Sequence, residues 1–403
     1  MKIAAVASTH PDPKLAASES YSALLDKLGG IPHLILVHSS CDYDNMVLIN
    51  CLHEMAPGVP LQGGTSCFGV ATHTGFHSND ELGVGILGIL DPEGAYGAGI
   101  ADAGSDTAAA SIDALVQALV QSGREGEVPT AVIISSYPGD EEEIISAIGQ
   151  HIGRNVPIIG GTSANNAMHG QWQQFGKGNV FSRGISVAVL FPSGDIGYAF
   201  HSGFEPTVRH GLVTRATKRT LHEIDGRPAA HVYNEWTDGL ITEFLPQGGN
   251  LVPTAGFSPL GTPISRLAGV PSFRLAYPVE ALKEGGLQLF AEIPEGSEIV
   301  LMTGSADNLA SRAGRVASMA LEAAACDANS SAGAVIFYCS GCMLSILDRM
   351  PEVVSSLNDT LNQAPFLCAF TLGETGCFKE GENRHGNLMI AVLVFGPEGK
   401  EQP

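Results

Sequence analysis

One pattern recurs three times along the 403 residues, and a repeat of this length restricts the chain to copies of one supersecondary unit packed together. The first copy runs from Leu34-Ile35-Leu36-Val37-His38-Ser39-Ser40 through a helical stretch to Pro60-Leu61-Gln62-Gly63-Gly64-Thr65-Ser66, then a Gly-containing loop and Leu82-Gly83-Val84-Gly85-Ile86-Leu87. The second has Ala131-Val132-Ile133-Ile134-Ser135-Ser136, a helix, Pro157-Ile158-Ile159-Gly160-Gly161-Thr162-Ser163 and Ile185 to Phe191. The third has Ala334 to Ser340, a helix, Pro365-Phe366-Leu367-Cys368-Ala369-Phe370-Thr371 and Leu388 to Phe395. Each copy reads as a strand, a helix, a second strand ending in Thr, and a closing strand.

Strands this continuously apolar are buried on both faces, which requires helices or a second sheet on each side. The expected fold class is α/β, with layered mixed sheets built from repeated strand-helix-strand units in a two-part architecture. Caps delimit the helices: Asp106 and Gly123 bracket an Ala-rich run, Asp140 and Gly153 bracket Glu141 to Ile152, Ser305 precedes a helix through Ala325, and Met350-Pro351 opens one through Asn362. Gly197 to Glu298 breaks the pattern with more charge, Pro and Gly; Val213 to Gly226 alternates like a strand pair, and Pro228 to Trp236 reads as a short helix. This places a junction near 200–235, dividing the chain into 1–200, with two repeats, and 201–403, with a linker-like start and the third repeat.

Strand ends followed by helix starts are where open α/β folds gather ligands, because free backbone N–H groups point there. Thr65, Ser66, Thr162, Ser163 and Thr371 all fall at such ends. Their repetition marks them, with Cys339 and Glu374 beside the third, as candidate ligand-binding residues.

The net charge of -21 excludes nucleic acid as a partner, since that binding depends on Lys and Arg displacing counterions. No run of about 18 apolar residues occurs, so a membrane partner is not expected either, and the apolar start Ile3 to Ala7 is too short for a signal-peptide core. Eight scattered cysteines fit reduced thiols better than a disulfide framework. The expected location is the cytoplasm.

Together, Gly63-Gly64-Thr65-Ser66, Ile159-Gly160-Gly161-Thr162-Ser163, Ile224-Asp225-Gly226-Arg227-Pro228-Ala229 with Tyr233, Phe337-Tyr338-Cys339-Ser340-Gly341 and Thr371-Leu372-Gly373-Glu374 resemble the FIST family over nearly the whole length. The resemblance implies a FIST N-like part and a FIST C-like part. It also implies a sensory protein for an amino acid or similar metabolite, and some relatives bind haem and respond to nitric oxide. The chain departs from the family pattern at Cys342, where an Arg is usual after Cys-x-Gly; a thiol supplies no bidentate fork to a carboxylate.

Cys339-x-x-Cys342 resembles a redox dithiol, or half a zinc site that Cys368, Cys377 or His385 would have to complete. His73 and His77 share a Gly-broken loop, so no helix face presents both; His201 and His210 are the exposed candidates for axial haem ligation. Glu374, at a pocket rim, would bind a ligand ammonium or act as a base. Walker, dinucleotide and nucleophile-elbow motifs are missing, so an enzyme is the less favoured reading. The expected function is small-ligand sensing with output through a downstream signalling protein or a homo-oligomer interface. A haem-based nitric oxide sensor and a thiol-dependent enzyme using Cys339 and Cys342 stay open as rivals.

Overall fold

The computed structural model describes residues 1–166, 171–267, 270–378 and 381–398. A first module contains β1 (Lys2–Ser8), α1 (Pro13–Leu28), β2 (Leu34–Ser39), α2 (Asn45–Met55), β3 (Leu61–Thr65), a hairpin of β4 (Val70–Thr72) and β5 (Gly75–His77), and β6 (Val84–Leu90). The second repeats it with β7 (Ala95–Asp102), α3 (Thr107–Ser122), β8 (Ala131–Ser136), α4 (Glu141–Ile152), β9 (Ile158–Thr162), the hairpin β10 (Gln174–Gly176) and β11 (Asn179–Phe181), and β12 (Gly184–Phe191). The third opens with β13 (Gly194–Ser202).

An insertion then interrupts the third module, built of β14 (Glu205–Thr217), β15 (Thr220–Ile224), β16 (Arg227–Pro228), α5 (Ala229–Trp236), β17 (Gly249–Asn250), β18 (Leu260–Leu267), β19 (Val270–Ala276), β20 (Pro278–Ala281), β21 (Leu287–Leu289) and β22 (Glu298–Thr303). The module resumes with α6 (Ala306–Ala323), β23 (Gly333–Cys339), the short α7 (Ser340–Leu344), α8 (Met350–Leu361), β24 (Phe366–Thr371), the hairpin β25 (Glu374–Cys377) and β26 (Asn383–Gly386), and β27 (Met389–Glu398).

The repeat is therefore larger than the sequence pattern suggested, because each unit also owns a preceding strand and helix. The closing strand inserts antiparallel between the first two: β6 between β1 and β2, β12 between β7 and β8, β27 between β13 and β23. The next pair is parallel in each case, β2 with β3, β8 with β9 and β23 with β24, and parallel neighbours need a crossover helix. Burial on both faces follows from the alternation along each strand. Leu34 and Leu36 of β2 enter a core shared by all three sheets, while Ile35 and Val37 pack under the first module's helices. Ala131 and Ile133 of β8 likewise face the shared core, and Val132 and Ile134 the helix layer.

The hairpins close the assembly into a ring. The first module's β4 pairs with β24 of the third, the second's β10 with β3 of the first, and the third's β25 with β9 of the second. Each module thus covers a neighbour's sheet edge, which would otherwise offer unpaired N–H and C=O groups. The second glycine of each Gly-Gly pair is required by this closeness: a Cβ on Gly64 would lie 2.4 Å from Ser163 Oγ, and one on Gly161 2.6 Å from Thr371 Cγ2.

The linker-like stretch is a sheet of its own. It occupies the position held by four-residue loops, 9–12 and 103–106, in the other two modules. The expected helix from Pro228 to Trp236 is α5, and the expected strand pair is β14 and β15, turning at Lys218-Arg219.

Candidate functional site

Hairpin exchange brings the ends of β3, β9 and β24 to one junction. Ala164 N donates to Thr65 O at 2.9 Å, joining the first and second modules. Thr162 N donates to Gly373 O at 2.8 Å and Leu372 N to Thr162 O at 3.0 Å, joining the second and third; Cys67 N donates to Phe370 O at 3.0 Å, joining the third and first. Thr65, Ser66, Thr162, Ser163, Cys339, Thr371 and Glu374 are all buried there.

Most of these hydroxyls are committed to protein partners rather than facing an open hollow. Thr65 Oγ1 accepts from Gln173 N, Ser66 Oγ donates to Gly69 O and accepts from Phe370 N, Thr162 Oγ1 donates to Glu141 Oε1, and Thr371 Oγ1 donates to Glu374 Oε1. Ser163 Oγ has no partner. Surface grooves of about 400 Å³, between α3 and α4, and about 440 Å³, beside Pro57 and Tyr96, are lined by none of the seven. Glu374 lies in the interior rather than on a pocket rim, because the β25 hairpin carries it under Met389, whose N–H donates to Oε2 at 3.0 Å. Burial first, and Cys339 beside it second, push its carboxyl well above the usual carboxylate range.

The segment from His385 to Met389 threads between polar groups whose hydrogen-bonding capacity is not used up. His385 packs against Gly373 with neither ring nitrogen paired, and Gly386 lies against the stem of Arg274, whose Nε is unpaired. Asn387 N donates to Leu275 O, and Leu388 O accepts from Arg312 Nη1 at 2.9 Å. Arg312 descends from α6 with 1% of its surface exposed, its guanidinium 4.7 Å from the centre of the Tyr338 ring. Its Nε and Nη2 have no partner, and among the described residues no carboxylate lies within ion-pair distance of it. The guanidinium missing at position 342 thus reaches the Cys339-Ser340-Gly341-Cys342 turn from another element, and Arg312 charge acts on Cys342, Cys339 and Glu374.

The inserted sheet is fastened over this junction. Arg219, at the β14–β15 turn, bonds Glu141 Oε2 at 2.5 Å and Glu142 Oε2 at 2.6 Å at the start of α4, and Glu292 N donates to Glu142 Oε1 at 3.0 Å. Burial alone would raise the Glu142 pKa, yet His385 and Arg219 hold it down to about 2.

A porphyrin does not fit the two expected histidines. His210 stands on the exposed part of β14. His201 is half-buried rather than exposed, because β13, an edge strand paired with β27, is covered by α6. Burial lowers its pKa, with Arg315 and Arg312 contributing, and those charges also oppose a cationic iron. Among the described residues no cluster of His, Cys, Asp or Glu is arranged to hold a metal ion, so Cys368, Cys377 and His385 do not complete a zinc site. No helix among them is long and apolar enough to cross a membrane.

Sequence reasoning missed Arg312, Arg274 and Arg219, and considered His385 only as a zinc ligand. Arg312 carried a signal: it follows Leu309 by three residues and precedes Val316 by four, on the buried face of an amphipathic helix. The others reach the junction through tertiary packing alone.

Comparison with known proteins places these observations. The chain is 26% identical over 169 residues to an uncharacterized protein, MJ1623, of Methanocaldococcus jannaschii, a match over 40% of this chain and 32% of that protein's length. Among solved structures it is similar to a cyanuric acid hydrolase from A. caulinodans, with a TM-score of 0.41 and 8% identity over 98% of this chain and 99% of the other. PurLQS from Thermotoga maritima follows at a TM-score of 0.22 and 10% identity, over 98% and 72%. A FIST N domain matches residues 33–227 and a FIST C domain residues 229–377, their boundary falling inside the inserted sheet. With the two matches spanning most of its length, the chain belongs to the FIST family, whose domains are small-ligand sensors of signal transduction.

Proposed function

We propose that the three-module junction binds an amino acid or a similar small carboxylate metabolite and that occupancy is read by a partner protein. The observation that carries this reading is Arg312. A guanidinium buried this deeply costs several kcal/mol unless compensated. Its unpaired Nε and Nη2 lie on one edge, the edge that offers a carboxylate two parallel donors. Glu374, whose carboxyl burial pushes well above the usual carboxylate range, would ionise against a ligand ammonium, and Ser163 Oγ and the His385 nitrogens supply further polar contacts.

In the closed junction seen here, entry requires the inserted sheet to lift. Signalling then follows as a population shift: a ligand that binds the junction favours one seating of the sheet over the modules, and a partner distinguishes the two. A thermal-shift screen with amino acids and organic acids tests the binding step. A ligand at one hundred times its dissociation constant adds about 2.7 kcal/mol to the native state. Arg312→Lys, which keeps the charge and loses the fork, is expected to abolish the shift while the protein stays folded; an unchanged shift in that variant refutes the reading.

A further inference from the structure

Cys339 and Cys342 are unbridged, buried and packed against one another across the α7 turn, where a Cβ on the intervening Gly341 would lie 3.7 Å from Cys339 Sγ. Cys339 ends β23 as the N-cap of α7 and Cys342 sits in that helix's first turn, where the two thiols come within hydrogen-bonding reach of one another. The guanidinium of Arg312 borders the pair, with two nitrogens unpaired and no carboxylate in contact. The cation therefore lacks a hydrogen-bonded anion, and a thiolate is the one anion this turn can generate in place.

The geometry points to Cys339 and Cys342 as a peroxide-sensitive dithiol, with Cys342 the attacking thiolate and Cys339 the resolving thiol. The electrostatics agree. Burial opposes charge at Cys342, but the Cys339 thiol and Arg312 outweigh it and bring its pKa below the ordinary thiol value, whereas Cys339 is pushed well above. In the reaction, Cys342 loses its proton and the thiolate attacks a hydroperoxide oxygen. The O–O bond breaks, giving a sulfenic acid on Cys342 and an alkoxide or hydroxide that takes up the proton. Cys339 then attacks the sulfenic sulfur, forming the S–S bond and releasing water. Two thiols and one hydroperoxide become one disulfide, one alcohol or water, and one water; the sulfurs lose two electrons and the peroxide gains them.

This assignment needs only Arg312 beside the thiols and stands apart from the ligand reading, since oxidation is scored with no ligand present. The test is peroxide titration of the full chain, followed by alkylation of remaining thiols and peptide mapping. The expected result is a linked Cys339–Cys342 peptide, reversible by dithiothreitol, formed before modification of the more exposed Cys41, Cys51 and Cys326. In Cys339→Ser, dimedone is expected to trap a sulfenic acid on Cys342; in Cys342→Ser, none forms on Cys339. Arg312→Gln is expected to slow bridging at least tenfold. Oxidation of Cys41, Cys51 and Cys326 while Cys339 and Cys342 remain reduced until the protein unfolds overturns the assignment, and the wild-type map decides it even if a variant fails to fold.

Discussion

Replacing Arg219 with Met removes the charge that ties the inserted sheet to α4 while keeping most of the side-chain volume. Arg219, Glu141 and Glu142 are 15%, 4% and 23% exposed in their side chains, so the triad is largely shielded from water. Breaking a buried pair from one side strands the remaining charge and costs about 3–5 kcal/mol. Here two carboxylates are left adjacent, though Glu142 keeps His385 and the Glu292 N–H, so the lower end, about 3 kcal/mol, is expected. The penalty carries a pH signature. The folded pKa of Glu142, about 2, is depressed below its unfolded value, so its stabilisation is present above about pH 4.5 and is lost as pH falls through 4.5 towards 2. The difference between wild type and Arg219→Met is therefore greatest at neutral pH and narrows below pH 4.5. Urea unfolding from about pH 2.5 to pH 8 measures it. A loss below about 1 kcal/mol, the range of an exposed ion pair, or one independent of pH, refutes the fastening role of Arg219.

Two further changes probe the junction. Glu374→Gln mimics the neutral acid: because the folded pKa of Glu374 is raised, the wild type loses stability as pH climbs from the unfolded value through the folded one, and Gln removes that loss. The variant should melt together with wild type near pH 4 and progressively above it towards pH 8, with the Gln oxygen accepting from Met389 N and its amide donating to Thr371. Gly161→Ala should destabilise by about 1–3 kcal/mol, since the new methyl meets the β-branched Thr371 side chain, which has little room to turn; guanidinium unfolding midpoints at constant m-value test it.

The repeat was legible because both-face burial leaves a continuous apolar signature, as in Ala131-Val132-Ile133-Ile134 and Ala334-Val335-Ile336-Phe337. The first strand of each unit was harder to read: Tyr96-Gly97-Ala98-Gly99 is Gly-rich because α3 packs closely over it, which erases the usual strand composition. The threonines were visible, yet their bonding was not. Thr162 answers to Glu141, a partner fixed by helix placement rather than by spacing, whereas Thr371 answers to Glu374 three residues on, across the turn from β24 into β25. Arg274 gave no local sign, and His385 was weighed only as a metal ligand, because their neighbours Gly386 and Gly373 meet them through tertiary packing. The inserted sheet looked like a linker because β14, though long, is mostly exposed, while β20 and β21 are short and flanked by Pro and Gly.

Hydrogen exchange of the full chain with and without a stabilising carboxylate metabolite tests the central claim most directly. Protection concentrated in residues 385–389, 339–342 and 371–374, and absent in Arg312→Lys, is the expected result. Protection confined to the groove between α3 and α4, or an equal response in the variant, contradicts a ligand seated on Arg312.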